Sequence, residues 1–317
     1  MNSTSKSRSR FPLTFSVLFA FAVLPQFSYS TGFRKSKQSV KKKKDKFTPL
    51  NRQKTVLLDV QGKRLLLKTK IVLREGMLEM LCCLKQTKEH ESILSLDAKA
   101  YVVHTGLLAL GVKPGKPVQF YPKYVPAEGQ KINIFLQWKD KQGKFHRVAA
   151  QKWIRYGVTR YFSEKLNPYP KNLKLPKKSG LFYDEAVKEL VWFGHMTKEK
   201  RDNLLKFSQN ANYRKAIQSL FAKTQIKEMD TDWIFTGSQF FENRRTGKKA
   251  YAAEGGNFIC VSNFPSATID VKAKSSSNAS DLLFESFTER IPPLDTEVTI
   301  ELIPVPKKNK SNRKKSK

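Results

Sequence analysis

The sequence predicts an α+β fold in which strands dominate and a few helices intervene. Three observations lead there. Leu, Ile, Val and Phe total 85 of the 317 residues. That is above the roughly 20% below which a highly charged chain fails to bury a core. Most of the apolar runs are short, alternate with polar residues and are bounded by turn formers, as strands are. Only a few segments carry apolar residues at helical spacing.

Taken in chain order, residues 1–30 read as a signal peptide. Lys6, Arg8 and Arg10 form a positive head, and Phe15 to Leu24 is an apolar run too short to span a bilayer. Ser28-Tyr29-Ser30 then supplies small residues for cleavage. An uncleaved N-terminal anchor is the alternative, and either way the chain is expected to be exported to a periplasmic or extracellular space. Residues 31–54 hold ten basic residues and one acid, including Lys41, Lys42, Lys43 and Lys44 in a row, and read as a basic flexible arm. Val56 to Val60 and Leu65 to Val72 are strands around a Gln61-Gly62 turn. Ser92 to Leu96 is another strand. Asp97 is placed to cap a helix from Ala98 to Leu110, with Gly111 at its C′ position and Pro114-Gly115 beyond.

Lys131 to Lys139 and Lys144 to Ile154 form a hairpin across Asp140–Gly143. Residues 163–180 are rich in Pro, Lys and Asn and read as a linker or long surface loop, the natural place for a split of region 55–304 into two subdomains. Thr197 to Phe207 and Tyr213 to Ala222 are amphipathic helices. Strands return at Asp232 to Thr236, Asn257 to Val261, Ala267 to Val271 and Glu297 to Ile303. Residues 305–317 form a second basic flexible tail.

Sixty Lys and Arg face 27 Asp and Glu, a formal charge of +33. The termini concentrate it: Lys41 to Lys44, Lys307, Lys308, Arg313, Lys314 and Lys315 are the expected polyanion-binding residues. Aromatic residues to stack on bases are scarce there, so no sequence-specific nucleic-acid binding is expected. In an exported chain the partner is an anionic envelope polymer or lipid surface.

Common catalytic motifs fail on inspection. His90-Glu91 lacks the second His of a zinc-protease helix, since position 94 is Leu. Gly106 to Lys113 has phosphate-loop glycine spacing without the required Lys-Ser/Thr, and there is neither G-x-S-x-G nor G-x-G-x-x-G. Cys82, Cys83 and Cys260 are the only cysteines. In an oxidising compartment one of the first two pairs with Cys260, or all three are buried thiols. No C-x-x-C exists, so no classical iron–sulfur cluster is expected in a single chain. Carboxylate, imidazole and thiol crowd residues 79–104. Glu79, His90, Glu91 and His104 are the acid–base candidates there, and His90, His104, Cys82 and Cys83 are candidates for a divalent metal.

The stretch L-E-M-L-C-C-L-K-Q-T-K-E-H-E-S-I-L-S-L-D-A-K-A-Y-V-V-H-T-G-L-L-A-L-G-V-K-P-G-K-P, Leu78 to Pro117, resembles the YdjY-domain family in its K-x-H-E-S pattern, its later His and its L-G-x-K-P-G. It is similar to a planctomycete-type branch of exported proteins. Thr231-Asp232-Trp233 with Gly237-Ser238, S-N-F-P-S-A within Gly256 to Asp270, and Glu289 to Pro293 extend the resemblance over most of residues 70–304. Some members carry ferredoxin-like labels, from which this chain departs in having no cysteine run. The motif places its polar chemistry on Glu79, His90, Glu91 and His104.

Two functions are therefore expected in competition. One is a non-enzymatic exported module that binds an anionic envelope component or polymer. The other is a metal-dependent or redox protein with its site within residues 79–104. Neither the ligand nor the oligomeric state is legible.

Overall fold

The computed structural model of the protein describes residues 47–242, 244–275 and 283–306. The signal peptide, the Lys41 to Lys44 run, and Lys307, Lys308, Arg313, Lys314 and Lys315 lie outside the described residues. The reading of a mostly β, α+β chain is correct. A short strand β1 (Thr48–Pro49) pairs with β2 (Val56–Asp59), which turns through Gly62 into β3 (Arg64–Ile71). Residues 47–54, assigned above to the flexible arm, are thus part of the fold. The Asn51 side-chain carbonyl accepts hydrogen bonds from the backbone N–H of Thr55 and Val56.

β4 (Met80–Leu84) and β5 (Ser92–Leu96) run parallel, and α1 (Ala100–Ala109) follows directly. β6 (Gln130–Lys139) makes the predicted hairpin with β7 (Phe145–Ala149), and the chain continues to β8 (Ile154–Tyr156). Then come β9 (Tyr161–Lys165), β10 (Leu181–Asp184), β11 (Glu189–Phe193), α2 (Lys198–Leu205) and α3 (Ala211–Lys223). The remaining strands are β12 (Trp233–Phe235), β13 (Phe240–Glu242), β14 (Lys249–Tyr251), β15 (Ile259–Cys260), β16 (Ile269–Val271), β17 (Phe284–Ser286) and β18 (Glu297–Pro304).

Eight of these strands close a barrel in the order β3-β18-β6-β12-β16-β15-β4-β5, with β5 returning to β3. Two long strands make closure possible by serving two partners on one edge. β3 pairs β2 over its first half and β5 over its last three residues, while β6 pairs β12 at its start and β7 at its end. Strand alternation points Leu65, Leu67 and Ile71 into the core and leaves Lys68 and Lys70 in solvent. Facing rows of Ile132, Ile134 and Leu136 with Val298, Ile300 and Leu302 fill the same core. Glu301, buried among outward-facing neighbours, is held by Arg64, Arg147 and Gln137. Burial pushes its carboxyl up, but the two guanidiniums outweigh that and hold it below the usual range.

α1 lies where β3 begins and β12 ends: its Gly106 meets Leu65, and His104 packs on Phe235. The helix starts two residues later than predicted. Asp97 does not cap it; its carboxylate takes Lys85 at 3.0 Å, and Lys99 at the N-cap makes no side-chain cap. Gly111 does adopt the left-handed C′ conformation, φ +78°. Gly115 donates to the Phe235 carbonyl, and a Cβ there would stand 1.8 Å from the Glu128 carbonyl oxygen. The L-G-x-K-P-G motif is thus a helix stop followed by a backbone-to-backbone contact that only glycine permits.

Residues 161–223 make a smaller module with its own core. β10, β11 and β9 form a three-stranded antiparallel sheet, and Phe162, Leu181, Leu190 and Trp192 cluster with Tyr213, Ile217 and Leu220 of α3. Thr197 caps α2 and Asn210 caps α3 through side-chain oxygens. The expected loop at 163–180 therefore begins inside a strand, and Leu166 and Leu173 anchor the rest of it in this core.

Candidate functional site

The connection from β4 to β5 and the one from β15 to β16 both join parallel strands that are direct neighbours. Each must return the full length of a strand, and short segments do so here without an intervening α-helix. Residues 85–91 hold the K-x-H-E of the K-x-H-E-S pattern, whose Ser92 opens β5, and residues 261–268 contain S-N-F-P-S-A. Since β15 also pairs with β4, the two crossovers lie side by side and touch. Lys88 sits 4.9 Å above the Phe264 ring.

Glu79 and Glu91, two of the predicted residues, do meet. Lys88 joins them, with Nζ 2.6 Å from Glu79 Oε2 and 2.9 Å from Glu91 Oε1. Burial and the Glu91 carboxyl raise the Glu79 pKa against the pull of Lys88. Lys88 stands in the motif itself, yet a lysine next to Glu89 and Glu91 in sequence resembles any solvated charge run. Asp270 on β16 was missed entirely. Its Oδ1 accepts from the Val271 N–H and the Asn263 amide, its Oδ2 has no hydrogen-bond partner, and burial pushes its pKa up to about 7.

His90 and His104 do not converge. His90 is exposed, with only Glu91 Oε1 at 3.9 Å. β5 separates the two histidines and runs its full length between them. His104 is engaged in a network: its Nδ1 lies 2.9 Å from the Tyr251 hydroxyl, which also reaches the Gly237 carbonyl and Thr268 Oγ1. Phe235 and Tyr251 both meet the imidazole edge to face, and burial lowers its pKa. The half-buried imidazole is thus held by one hydrogen bond and two ring contacts.

All three cysteines are free and buried. The expected disulfide to Cys260 does not form, because the register sets Ile259 opposite Cys82 and Cys260 opposite Met80. Cys82 belongs to the barrel core, Cys260 packs with Met80 and Ala267, and Cys83 faces Ser92 and Thr87. Burial pushes the Cys82 and Cys260 thiols well above their ordinary range, the opposite of what a nucleophile or metal ligand needs. Among the described residues no group of three or more His, Cys, Asp or Glu side chains is arranged to hold a metal ion.

A separate open feature lies elsewhere on the barrel. A cleft of about 900 Å³ runs over the outer face of β3, β18 and β6, between the β4–β5 crossover and the β6–β7 hairpin. Among the described residues Lys68, Lys70 and Lys139 line it without an ion pair, although Glu297 stands opposite Lys70 in the strand register, while Lys85 is paired with Asp97. Thr299 and Gln137 offer hydrogen bonds along its floor, Phe145 and Trp138 form an apolar wall, and Asp295 and Glu297 place acids at one side.

The family model of the YdjY domain matches residues 51–165. This part of the chain matches the YdjY-domain family that the motif resembles. In the structure the matched span takes in the strands from β2 to β9 and so supplies β3, β4, β5 and β6 of the barrel. The other four barrel strands come from beyond the matched span, as do the Thr231 to Ser238, S-N-F-P-S-A and Glu289 to Pro293 segments of the wider resemblance. No curated protein and no solved structure matches the chain. Among the described residues no helix is long and apolar enough to cross a membrane.

Proposed function

We propose that the protein is a non-catalytic module that holds an anionic polymer or envelope component in the cleft over β3, β18 and β6. The observation that carries this reading is the convergence on the cleft of Lys68, Lys70 and Lys139, which make no ion pair among the described residues. The reactive side-chain types support it by their placement. The thiols are buried and protonated, His104 is committed to Tyr251, and Glu79 and Glu91 are committed to Lys88. Hydrogen-bonding floor groups and the Phe145 wall suit a chain that carries uncharged surface between its charges. The basic termini raise the local concentration of such a polymer by charge alone.

Binding of polygalacturonate to the full chain, measured across salt concentrations, tests this. For duplex DNA, log K falls with log salt by about 0.9 per neutralised charge. By that scale the Lys68→Ala/Lys70→Ala/Lys139→Ala variant loses about two to three units of slope and binds more weakly at low salt. Binding and slope equal to those of the unaltered protein would refute the cleft.

A further inference from the structure

We propose that the outer face of the β9–β10–β11 sheet is a second binding surface, specific for polysaccharide, with Tyr161, Phe182 and Phe193 as stacking platforms. The inner face of this sheet is accounted for, since Phe162, Leu181 and Trp192 pack in the core that includes α2 and α3. Alternation sends the intervening residues outward. There the register pairs Phe193 with Tyr161, their ring centroids 4.9 Å apart, and Phe182 on the third strand lies 6.4 Å from Tyr161. All three rings are at least half exposed: 67% for Tyr161, 50% for Phe182 and 51% for Phe193. Beside the aromatic end, the same face carries a polar row in which Asp184, Glu189 and Lys165 stand in register.

Aromatic rings next to mixed donors and acceptors match a sugar chain, whose C–H faces stack on rings and whose hydroxyls bond to carboxylates and ammonium groups. Charge selects among occupants. A second copy of the chain is repelled by a net charge of +33 on each. Nucleic acid and anionic bilayers would bring phosphates against Asp184 and Glu189. A hydroxyl-rich chain with widely spaced carboxylates avoids that conflict. It is still drawn in by the module, which has 15 Lys and Arg against six Asp and Glu over residues 160–227.

The surface is separate from the cleft, so each can fail alone. The test is affinity electrophoresis of the full chain through gels containing hyaluronan. Single-stranded oligo(dT) and phosphatidylglycerol vesicles serve as rival probes. The expected result is retention by hyaluronan that persists at physiological salt. It should weaken about tenfold in Tyr161→Ala/Phe193→Ala with the melting temperature unchanged, and recover in Tyr161→Phe/Phe193→Tyr. Phe182→Ala gives an independent third reading in the same direction. Hyaluronan binding that the aromatic substitutions leave intact overturns the proposal, as does binding confined to oligo(dT) or vesicles. Loss of retention only in Lys68→Ala/Lys70→Ala/Lys139→Ala would likewise overturn it while leaving the cleft standing.

Discussion

Replacing Asp270 by Asn should stabilise the protein at alkaline pH and do little in acid. Asp270 is fully buried, and burial raises its pKa from 3.8 to about 7 against the opposing hydrogen bonds from Val271, Asn263 and the Phe264 backbone. Because the folded value lies above the unfolded one, the folded state holds an extra proton between these values. Stability is full below about pH 4 and is lost as pH rises through 7. At 1.36 kcal/mol per pKa unit the complete loss is about 4 kcal/mol. Asn keeps the acceptor used by Val271 and puts an N–H where the partnerless Oδ2 stands. The protonated acid presents a comparable unmatched donor, so the two proteins should be nearly equal in acid. Urea unfolding at a series of pH values gives the difference directly, and between about pH 5 and pH 8 the variant should gain about 2.5 kcal/mol on the parent. Glu79, also raised, adds to the slope of both proteins and cancels in the difference. A difference that stays constant with pH, or grows in favour of the parent, would refute a buried Asp270 carboxyl of raised pKa.

Two further outcomes follow from packing. Gly115→Ala drives a methyl into the Glu128 carbonyl and should cost about 3 kcal/mol or more, whereas Gly143→Ala, with open space around it and φ +79°, should cost only about 1–2 kcal/mol. Thermal melts of the two variants decide this, and equal losses would count against the tight contact at Gly115. The native protein should also show no fast-reacting thiol toward dithiobis-nitrobenzoate and release three per chain in denaturant without reductant. Fewer than three would mean that a disulfide has formed.

Local physics made much of the fold legible. Ser92–Leu96 is read to the residue, the bounds of α2 and α3 to within two residues, and Gly111 in its C′ role, because each depends on neighbours in sequence. The hairpin β10–β11 lay in a segment whose Lys and Asp residues hide its alternation, although Leu181, Leu190 and Trp192 mark the buried face. Barrel closure was not legible. It depends on β18 fitting between β3 and β6 and on the last three residues of β3 meeting β5, pairings that no local pattern announces. The meeting of Glu79 and Glu91 could have been suspected from their position ahead of adjacent strands. Their union with Phe264 could not, since it requires β15 beside β4.

The two parallel seams explain why Glu79 and Glu91, two of the acid–base candidates, stand at a joint of the fold. A parallel connection without an α-helix must lie flat on the barrel and be fastened there. Lys88 binding Glu79 and Glu91, with Phe264 beneath it, fastens one crossover to the other. A polar cluster in sequence then signals a joint, and its charges are matched within the fold. What remains unmatched lies on residues that no motif marks: lysines facing out from β3 and β6, and three rings on a small inserted sheet. The fastened β4–β5 crossover also forms one wall of the cleft through Lys85 and Glu89. The motif thus bears on ligand binding through the rigidity of that wall, while contact with the ligand falls to side chains whose types were too common in the sequence to single out.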